Sequence, residues 1–243
     1  MKSPTFLVLT QYESSHWWFK ARRVILRRLL DRLRLNKPTD ILDVGCGTGG
    51  NFNMLSPLGN VYGLEIDEDI AKHIESGTYK EVQVGSFPEN AMYKDQSFGV
   101  MVLLDVLEHI DDDSLAFQAI HSLLRPGGIA VITVPAYNFL WSKHDETIGH
   151  KRRYTAAELR SKAMTCGLDT VRTSYFNFFL FPFSLLAKIR LMLPGGDPMS
   201  IMREPPSFIN SFFFHLFSLE KYPLTVINFP FGLSIFMVVR KPA

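Results

Sequence analysis

The sequence predicts an α/β fold in which helices cover both faces of a doubly wound, mostly parallel sheet of seven strands. Short apolar runs alternate with helical patterns along the chain, which is typical of strands joined by right-handed helical crossovers. A glycine-rich turn directly follows the first apolar run, as in Rossmann-like folds. With 47% hydrophobic residues among 243, one large core is the economical arrangement, so we expect a single domain over residues 1–243.

The first element is a basic amphipathic helix within residues 14–35. Four leucines recur there at helical spacing, and arginines fill the other faces. The leucines are Leu26, Leu29, Leu30 and Leu33, and the arginines are Arg22, Arg23, Arg27, Arg28, Arg32 and Arg34. The preceding "HWWF" carries three large aromatic rings that favour burial, so we expect residues 1–37 to pack as an aromatic and basic helical cover.

Strands and helices then alternate. The predicted strands are "DILDVG", "NVYGLEID", "EVQVGSF", "FGVMVLLDV" and "IAVITVP". The predicted helices are "NFNML", "DEDIAKHIE" and "DDSLAFQAIHSLL", with "RPGG" as the turn before the fifth strand.

A helix near residues 155–165 precedes the last two predicted strands, "DTVRTSYF" and "GLSIFMVVRK". Roughly fifty residues separate these strands, far more than an ordinary connection. This insertion, residues 177–228, is rich in Phe, Leu and Pro, and its prolines break it into short helical pieces.

Composition excludes several classes of protein. The net charge of +2 gives no global field that would attract nucleic acid, and we expect no nucleic-acid partner. Cys46 and Cys166 form neither a disulfide framework nor a zinc spacing, which favours a cytoplasmic protein. No uncharged run reaches the ~18 residues that span a bilayer.

The stretch "ILDVGCGTGG", residues 41–50, combines the glycines of a dinucleotide fold with an acid, Asp43. A pyrophosphate binds at a helix N-terminus through backbone N–H groups, and a nearby carboxylate would repel it. A nucleoside that carries an ammonium and a sulfonium reverses this preference, because a carboxylate binds cations. Gly45 and Gly47 allow close backbone approach, and Glu65 ends the second strand where it can accept ribose hydroxyls. The pattern therefore favours S-adenosylmethionine over a nicotinamide or flavin.

The motifs "LDVGCGTG", "VYGLEID", "VGSFPE", "FGVMVLLDVLEHIDD" and "LLRPGGIAVITVP" follow one another over residues 39–136. In order and spacing they resemble class I S-adenosylmethionine-dependent methyltransferases, of the small-molecule type that includes the quinone-biosynthesis methyltransferases. The resemblance implies an antiparallel last strand and conversion of the cofactor to S-adenosylhomocysteine. The cofactor-binding residues that it implies are Arg23, Asp43, Gly45, Gly47, Glu65, Ile66, Ser86, Phe87, Leu104 and His109.

Three of these assignments have alternatives. Many members of the family carry Asp where Ser86 stands, so the adenine contact here is expected to be weaker or to come from the backbone. His109 opens a predicted helix and could equally be structural. The resemblance places an arginine of the "HWWFKARR" segment, Arg22 or Arg23, on the methionine carboxylate, since a guanidinium pairs bidentately with a carboxylate. The alternative is that the tryptophans anchor the helix on the sheet while all the arginines face solvent.

The methyl acceptor is expected at the loop after the fifth strand, "PAYNFLWSKHDETIGHKRRYT", since a sheet presents functional residues on such loops. The predicted substrate-binding residues are Tyr137, Trp141, Arg152, Arg153 and Tyr154. If the acceptor is a hydroxyl, a histidine is a suitable base, which makes His144, Asp145 and His150 the predicted catalytic residues. Alternatively the histidines brace the loop and the arginines are solvated, while Thr155 and Glu158 form a helix capping box.

We predict no metal site, because the spacing of His144, Asp145 and His150 matches no recognised pattern. The phenylalanines of the insertion predict a lid for a small or lipid-like acceptor, with a dimer contact or a peripheral membrane contact as alternatives. The oligomeric state is not predicted. The leading hypothesis is an O-methyltransferase. The alternatives are N- or C-methylation of a small molecule, and a membrane-surface binding module that has lost turnover.

Overall fold

One seven-stranded sheet organises the protein, which a computed structural model describes at residues 12–33, 35, 38–74, 77–90, 93–192 and 205–243. The strands are β1 (Thr39–Val44), β2 (Gly59–Glu65), β3 (Glu81–Val84), β4 (Phe98–Leu104), β5 (Leu124–Pro135), β6 (Asp169–Phe176) and β7 (Ser234–Arg240). Their order across the sheet is β3-β2-β1-β4-β5-β7-β6. Strands β1 to β5 pair in parallel, and β7 runs antiparallel to both β5 and β6. The predicted doubly wound sheet with an antiparallel last strand is confirmed.

The strand order reverses between β1 and β4, which are neighbours although they are not consecutive in the chain. Crossovers leave this point in opposite directions, so a crevice opens at the carboxyl ends of the two strands. This crevice is the expected ligand position in such sheets, and it lies next to the glycine-rich turn.

Helices cover both faces of the sheet. They are α1 (Trp17–Leu30), α2 (Phe52–Leu55), α3 (Glu68–Ala71), α4 (Asp113–Leu123), α5 (Lys143–Thr147), α6 (Ala156–Thr165), α7 (Phe181–Met192) and α8 (Ser207–Ser218). Apolar residues of α4 and α6 fill the core on one face, and those of α1, α2 and α8 fill the core on the other. The capping box of Thr155 and Glu158 is present at the start of α6, as predicted.

Helix α1 packs on α8 through aromatic rings. His16 caps α1 by accepting a hydrogen bond from the Trp18 backbone N–H, at 3.2 Å. The rings of Trp17 and Phe213 have centroids 5.3 Å apart, and Trp18 stacks on Phe217 at the same centroid distance. The tryptophans therefore fasten the N-terminal cover to the insertion, whereas the alternative considered from sequence had them on the sheet.

Several predicted boundaries were wrong for identifiable reasons. The helix predicted for "DEDIAKHIE" is helical only over α3, because His73 and Ile74 donate to carbonyls three residues back and tighten the chain into a turn. The predicted "RPGG" turn belongs to β5, since Gly127 donates to the Lys241 carbonyl and Lys241 donates to that of Gly128. These two bonds extend the sheet where only a turn was expected.

The described residues of the insertion form α7, α8 and two short 3₁₀ turns, Leu219–Lys221 and Pro223–Thr225. It is divided into pieces, as the prolines predict, although "PGGDP" lies outside the described residues, as do residues 1–11 of the predicted cover. The described residues contain no helix long and apolar enough to span a membrane.

Candidate active site

The glycine loop after β1 is held against β2 by backbone hydrogen bonds. Gly45 and Cys46 both donate to the Leu64 carbonyl, at 2.7 and 3.1 Å. Gly45 and Gly47 have φ angles of +65° and +57°, which favour glycine. A Cβ on Gly45 would also lie only 2.6 Å from a methyl carbon of Val106. The loop therefore presents bare backbone to the crevice beside β4.

Asp43 lies at the end of β1, directly under this loop, and is completely buried. Asn51 Nδ2 lies 3.4 Å from one carboxylate oxygen, and the other oxygen has no hydrogen-bond partner among the described residues. Burial, reinforced by the negative charges of Glu13 and Glu65, raises the pKa of Asp43 to about 7. A buried acid with an unused oxygen is one that a cationic ligand would stabilise in the ionised form.

Glu65 ends β2 and is also buried. Its two carboxylate oxygens accept hydrogen bonds from the Gly47 and Asp67 backbone N–H groups, at 2.8 and 3.0 Å. Burial raises its pKa in spite of these bonds. The residue is engaged with the glycine loop, while its contact with a ribose stays a prediction.

The other residues implied for the cofactor follow neighbouring strands. Ser86 and Phe87 follow β3, and Leu104 ends β4. Phe87 and Leu104 are nearly buried, at 8% and 7% exposure, whereas Ile66 is 70% exposed. Because β3, β2, β1 and β4 are parallel neighbours, these positions follow strands that end at the same edge of the sheet, and their roles in binding the cofactor stay predictions.

The paired arginines of α1 separate into two environments. Arg22 is buried and forms a salt bridge with Asp105, the residue after β4. Asp105 has a φ of +60°, and Thr133 Oγ1 donates to its carboxylate at 3.0 Å. Arg23 instead donates to the backbone carbonyl of Glu13 at 2.9 Å. The alternative in which all the arginines face solvent is wrong, because Arg22 reaches an acid in the crevice.

The residues present fit S-adenosylmethionine. The crevice offers bare glycine backbone, a buried acid with an unpartnered oxygen in Asp43 and a second buried acid at the end of β2. Arg22, paired with Asp105, adds a cation whose charge interacts with that of Asp43. Acids paired with glycines suit a cationic nucleoside and disfavour a pyrophosphate.

The loop after β5 is built around the buried carboxylate of Asp145. Arg153 donates to it twice, from Nε at 2.8 Å and Nη2 at 3.1 Å, and the Ser142 N–H donates at 2.9 Å. His150 Nδ1 lies 2.9 Å from the same carboxylate. Burial alone would raise the pKa of Asp145, but the hydrogen bonds from His150 and Arg153 outweigh burial and hold the pKa below its ordinary value.

The Asp145 carboxylate orients His150, so that Nε2 points toward Glu108 at 3.7 Å. Glu108 is completely buried, and within the described part of the chain its carboxylate oxygens accept no hydrogen bond. The ring of His109 contacts that of His150 edge-on, and His109 Nδ1 lies 3.2 Å from the Gly149 carbonyl. Burial, with the neighbouring His150, lowers the pKa of His109 to about 4.

Glu108, His109 and His150 are also the described residues that could hold a metal ion, since one ligand atom from each lies within 4.8 Å of the others. The trio differs from His144, Asp145 and His150, the set considered from sequence. The prediction of no metal site stays a prediction.

His144 lies half-buried in α5, and burial lowers its pKa. The residues predicted to bind substrate are placed unequally around this loop. Tyr137 has a φ of +60° and stacks on Tyr175, with centroids 5.1 Å apart. Trp141 Nε1 donates to Glu146 at 3.3 Å. Tyr137 and Trp141 both remain partly exposed.

The other three residues predicted to bind substrate form hydrogen bonds or salt bridges within the protein. Tyr154 is 2% exposed and donates to Asp113 at 2.9 Å, while Arg152 pairs with the same acid at 3.2 Å. Arg153 is engaged by Asp145. These contacts brace the loop, so we do not retain Arg152, Arg153 and Tyr154 in the proposal below.

Sequence reasoning missed Glu13, Asp105 and Glu108. Asp105 directly follows a buried strand at the switch point, which is a usable signal. Glu108 carried no signal, because nothing in "LEH" shows that the acid is buried. Glu13 was hidden because Thr48, its partner in the glycine loop, lies 35 residues away in the chain.

Comparison with known proteins agrees with this geometry. A family model described as "Methyltransferase domain" matches residues 18–172. A probable S-adenosylmethionine-dependent methyltransferase from Mycolicibacterium smegmatis is 28% identical over 163 residues, covering 65% of this chain and 62% of the relative. A ubiquinone biosynthesis O-methyltransferase from Colwellia psychrerythraea is 34% identical over 95 residues, covering 37% of this chain and 39% of the relative. The chain thus spans less than two thirds of the length of these relatives.

Solved structures share the fold. A putative methyltransferase in complex with the Trm112 activator from Haloferax volcanii has a TM-score of 0.64 at 16% identity, covering 98% of this chain and 95% of its own. A putative methyltransferase from Bacillus halodurans has a TM-score of 0.61 at 16% identity, covering 90% and 99%. At these identities the similarity concerns the fold alone.

Proposed function

Because the chain belongs to the methyltransferase-domain family, we propose that it is a class I S-adenosylmethionine-dependent methyltransferase that methylates an oxygen atom of a small, apolar or amphiphilic acceptor. The observation that carries the proposal is the buried carboxylate of Asp43 beneath the bare backbone of Gly45 and Gly47. This arrangement suits a cationic nucleoside and disfavours phosphate.

Positioning supplies most of the catalysis in this proposal. S-adenosylmethionine brings an activated methyl group on a sulfonium, so the protein needs to hold the acceptor oxygen in line with it. Glu65 holds the ribose, the glycine loop and Asp43 receive the methionine end, and Arg22 lies where it can turn from Asp105 to a ligand carboxylate. Phe87 and Leu104 supply apolar walls that keep water from the crevice.

A base is supplied by the loop after β5. In this proposal Asp145 fixes the His150 ring through Nδ1, and Nε2, which faces Glu108 at 3.7 Å, turns to the acceptor hydroxyl to accept its proton. His144, on the same loop, is the second candidate base. Tyr137 and Trp141 form the acceptor-facing surface in this proposal, because both remain partly exposed after the loop is folded.

The acceptor is proposed to be lipid-like because the insertion exposes large apolar side chains. Phe208 is 75% exposed, Phe212 55% and Val226 74%. Phe208 and Phe212 help to line a shallow groove of about 570 Å³ on the outer face of α8. The names of the ubiquinone biosynthesis relatives also favour a lipophilic acceptor. We propose that this surface makes peripheral contact with a bilayer.

Vesicle flotation tests the membrane contact. Replacing both Phe208 and Phe212 by serine is expected to lower binding to phosphatidylglycerol and phosphatidylethanolamine vesicles by about tenfold or more, because two exposed rings no longer enter the interface. The matched control replaces Leu115 and Met164, which are exposed on α4 and α6, by serine. This variant should bind the vesicles as the wild type does. Equal flotation of all three proteins would refute the contact.

The pH dependence of cofactor affinity tests the nucleoside site. In the free protein the pKa of Asp43 is about 7, and a bound cation favours the ionised carboxylate. Binding therefore releases a proton below pH 7, so affinity should rise by up to about tenfold per pH unit up to pH 7 and level off above it. Calorimetry with S-adenosylmethionine at pH 5.5, 6.5, 7.5 and 8.5 in two buffers measures both the affinity and the released proton.

Two outcomes would count against the proposal. No binding at millimolar cofactor would favour a binding module without turnover. Binding that is strongest at pH 5.5 would show that the neutral acid is the form that holds the ligand.

A further inference from the structure

The turn before α1 lies directly on the glycine loop through one buried acid, Glu13. Its side chain is 5% exposed. The Thr48 hydroxyl donates to the Glu13 carboxylate, and Arg23 Nη1 lies 4.0 Å from its other oxygen. Arg23 Nη2 also donates to the Glu13 backbone carbonyl. Arg23 thus hydrogen-bonds the backbone of Glu13 and lies at ion-pair distance from its side chain, while that side chain accepts the hydrogen bond from the loop.

Gly50 shows how closely this acid approaches. A Cβ built on Gly50 would overlap the Glu13 carboxylate. Gly50 is the third glycine of the G-x-G-x-x-G pattern, whose usual explanation is close packing of helix and strand in a dinucleotide fold. In this protein the space that Gly50 leaves is filled by an acid from the N-terminal turn.

The same turn is fixed on its other side by the insertion. Asn210 of α8 accepts a hydrogen bond from the Trp17 N–H at 2.8 Å and donates to the Ser15 carbonyl at 3.1 Å. The turn that carries Glu13 is therefore held between the glycine loop and α8, and it does not depend on Thr48 alone for its position.

The charges around this turn form a complementary set. Glu13 and Asp43 are two buried acids whose charges interact, and on α1 the charge of Arg22 interacts with Asp43 and that of Arg23 with Glu13. A free amino acid carries an ammonium and a carboxylate together. Two acids can pair with the ammonium and two arginines with the carboxylate of such a zwitterion. A nucleoside without an amino acid has neither charged group to pair.

We propose that Glu13 is a positioning residue for the amino-acid part of the cofactor. Through Thr48 it sets the glycine loop, and through Arg23 it sets the arginine end of α1, so that Arg22 and Asp43 face each other across the site. This inference rests on the proposed function, and it assigns to the N-terminal turn a task separate from the ribose and adenine contacts.

The test compares two ligands that differ only by the amino acid. Glu13→Gln is expected to weaken S-adenosylhomocysteine binding by about tenfold or more, because it removes the charge that Thr48 and Arg23 hold. Binding of 5′-methylthioadenosine, which has the same nucleoside and no amino acid, should stay within about twofold of the wild type. Thr48→Val should give the same selective loss, and the double variant should lose little more than either single variant.

The control is Asp31→Asn, which breaks the exposed pair with Arg27 at the far end of α1 and should leave both affinities unchanged. Stopped-flow fluorescence of Trp17 and Trp18, next to the turn, should show faster dissociation of S-adenosylhomocysteine from the Glu13→Gln variant. If the wild-type protein binds neither S-adenosylhomocysteine nor 5′-methylthioadenosine, the proposed function itself is contradicted. If the wild type binds both ligands and Glu13→Gln binds them equally well, this inference alone is overturned. It is also overturned if Glu13→Gln loses affinity for both ligands equally, because the whole loop would then have been disturbed.

Discussion

Asp43→Asn is expected to bind S-adenosylmethionine about 30-fold to 1,000-fold more weakly while unfolding less readily than the wild type at pH 8. The loss of affinity follows because the amide cannot offer a negative charge to the cationic cofactor. The gain in stability follows because the wild-type carboxylate is buried with one oxygen that no described residue hydrogen-bonds. Its pKa is raised to about 7, so the folded protein holds this proton more tightly than the unfolded chain.

The sign of the stability effect can be followed with pH. Because the folded-state pKa is raised, the wild-type free energy of unfolding falls as pH rises from about 4 to about 7, where the folded protein is forced to ionise Asp43. The variant lacks this loss, so it should exceed the wild type by roughly 1–3 kcal/mol at pH 8 and by less at pH 5. Urea unfolding at the two pH values measures the difference.

Asp40→Asn is the matched control for Asp43→Asn, since Asp40 lies in the same strand. Its carboxylate pairs with Arg125 and accepts from Asn60, away from the crevice. Cofactor affinity should be unchanged, and stability should fall by at most about 1 kcal/mol. If Asp43→Asn binds the cofactor as well as Asp40→Asn does, the electrostatic basis of the site is wrong.

His150→Gln is expected to lower kcat by about 10²-fold to 10⁴-fold while leaving cofactor affinity unchanged. Glutamine fills a similar space but cannot accept a proton at neutral pH, so only the proton-transfer step should suffer. Transfer of a tritiated methyl group from S-adenosylmethionine to a short-chain prenylated catechol measures the rate, and calorimetry measures the affinity.

His121→Gln, on α4, is the control for His150→Gln and should retain the wild-type kcat. Asp145→Asn offers a further comparison, because it should lower kcat through misorientation of the ring and also lower stability by leaving Arg153 without its carboxylate. A kcat within twofold of the wild type in His150→Gln would leave bracing of the loop as the role of this residue and would turn attention to His144.

The fold was predictable because its signals are local. Each strand of the sheet coincides with a predicted apolar run, and Gly45 and Gly47 identify the turn after β1 by their backbone requirement. The "RPGG" segment was misassigned because glycine and proline indicate a turn, whereas its pairing with Lys241 depends on the opposite end of the chain. Periodicity finds elements, and it cannot find partners that are distant in sequence.

The candidate site was predictable only in part for the same reason. Helical spacing placed Arg22 on a polar face, yet it is buried because Asp105, 83 residues away, supplies the opposite charge. Tyr154 and Arg152 were assigned to substrate by residue type, while Asp113 engages both. Residue types indicate which chemistry is available. Which groups are already paired within the protein is decided by packing.

The two hydrogen bonds of Asn210 join helix α8 to the turn before α1. The turn carries Glu13, which contacts the glycine loop, and α8 carries the exposed rings of Phe208 and Phe212. The Asn210 side chain bonds the two segments to each other. Asn210 and the ring contacts of Trp17 and Trp18 hold the turn and α8 together, so we expect that displacing the turn from the crevice also moves α8. If α8 contacts a bilayer as proposed, exchange of the cofactor and movement of the membrane-contacting surface would then be coupled.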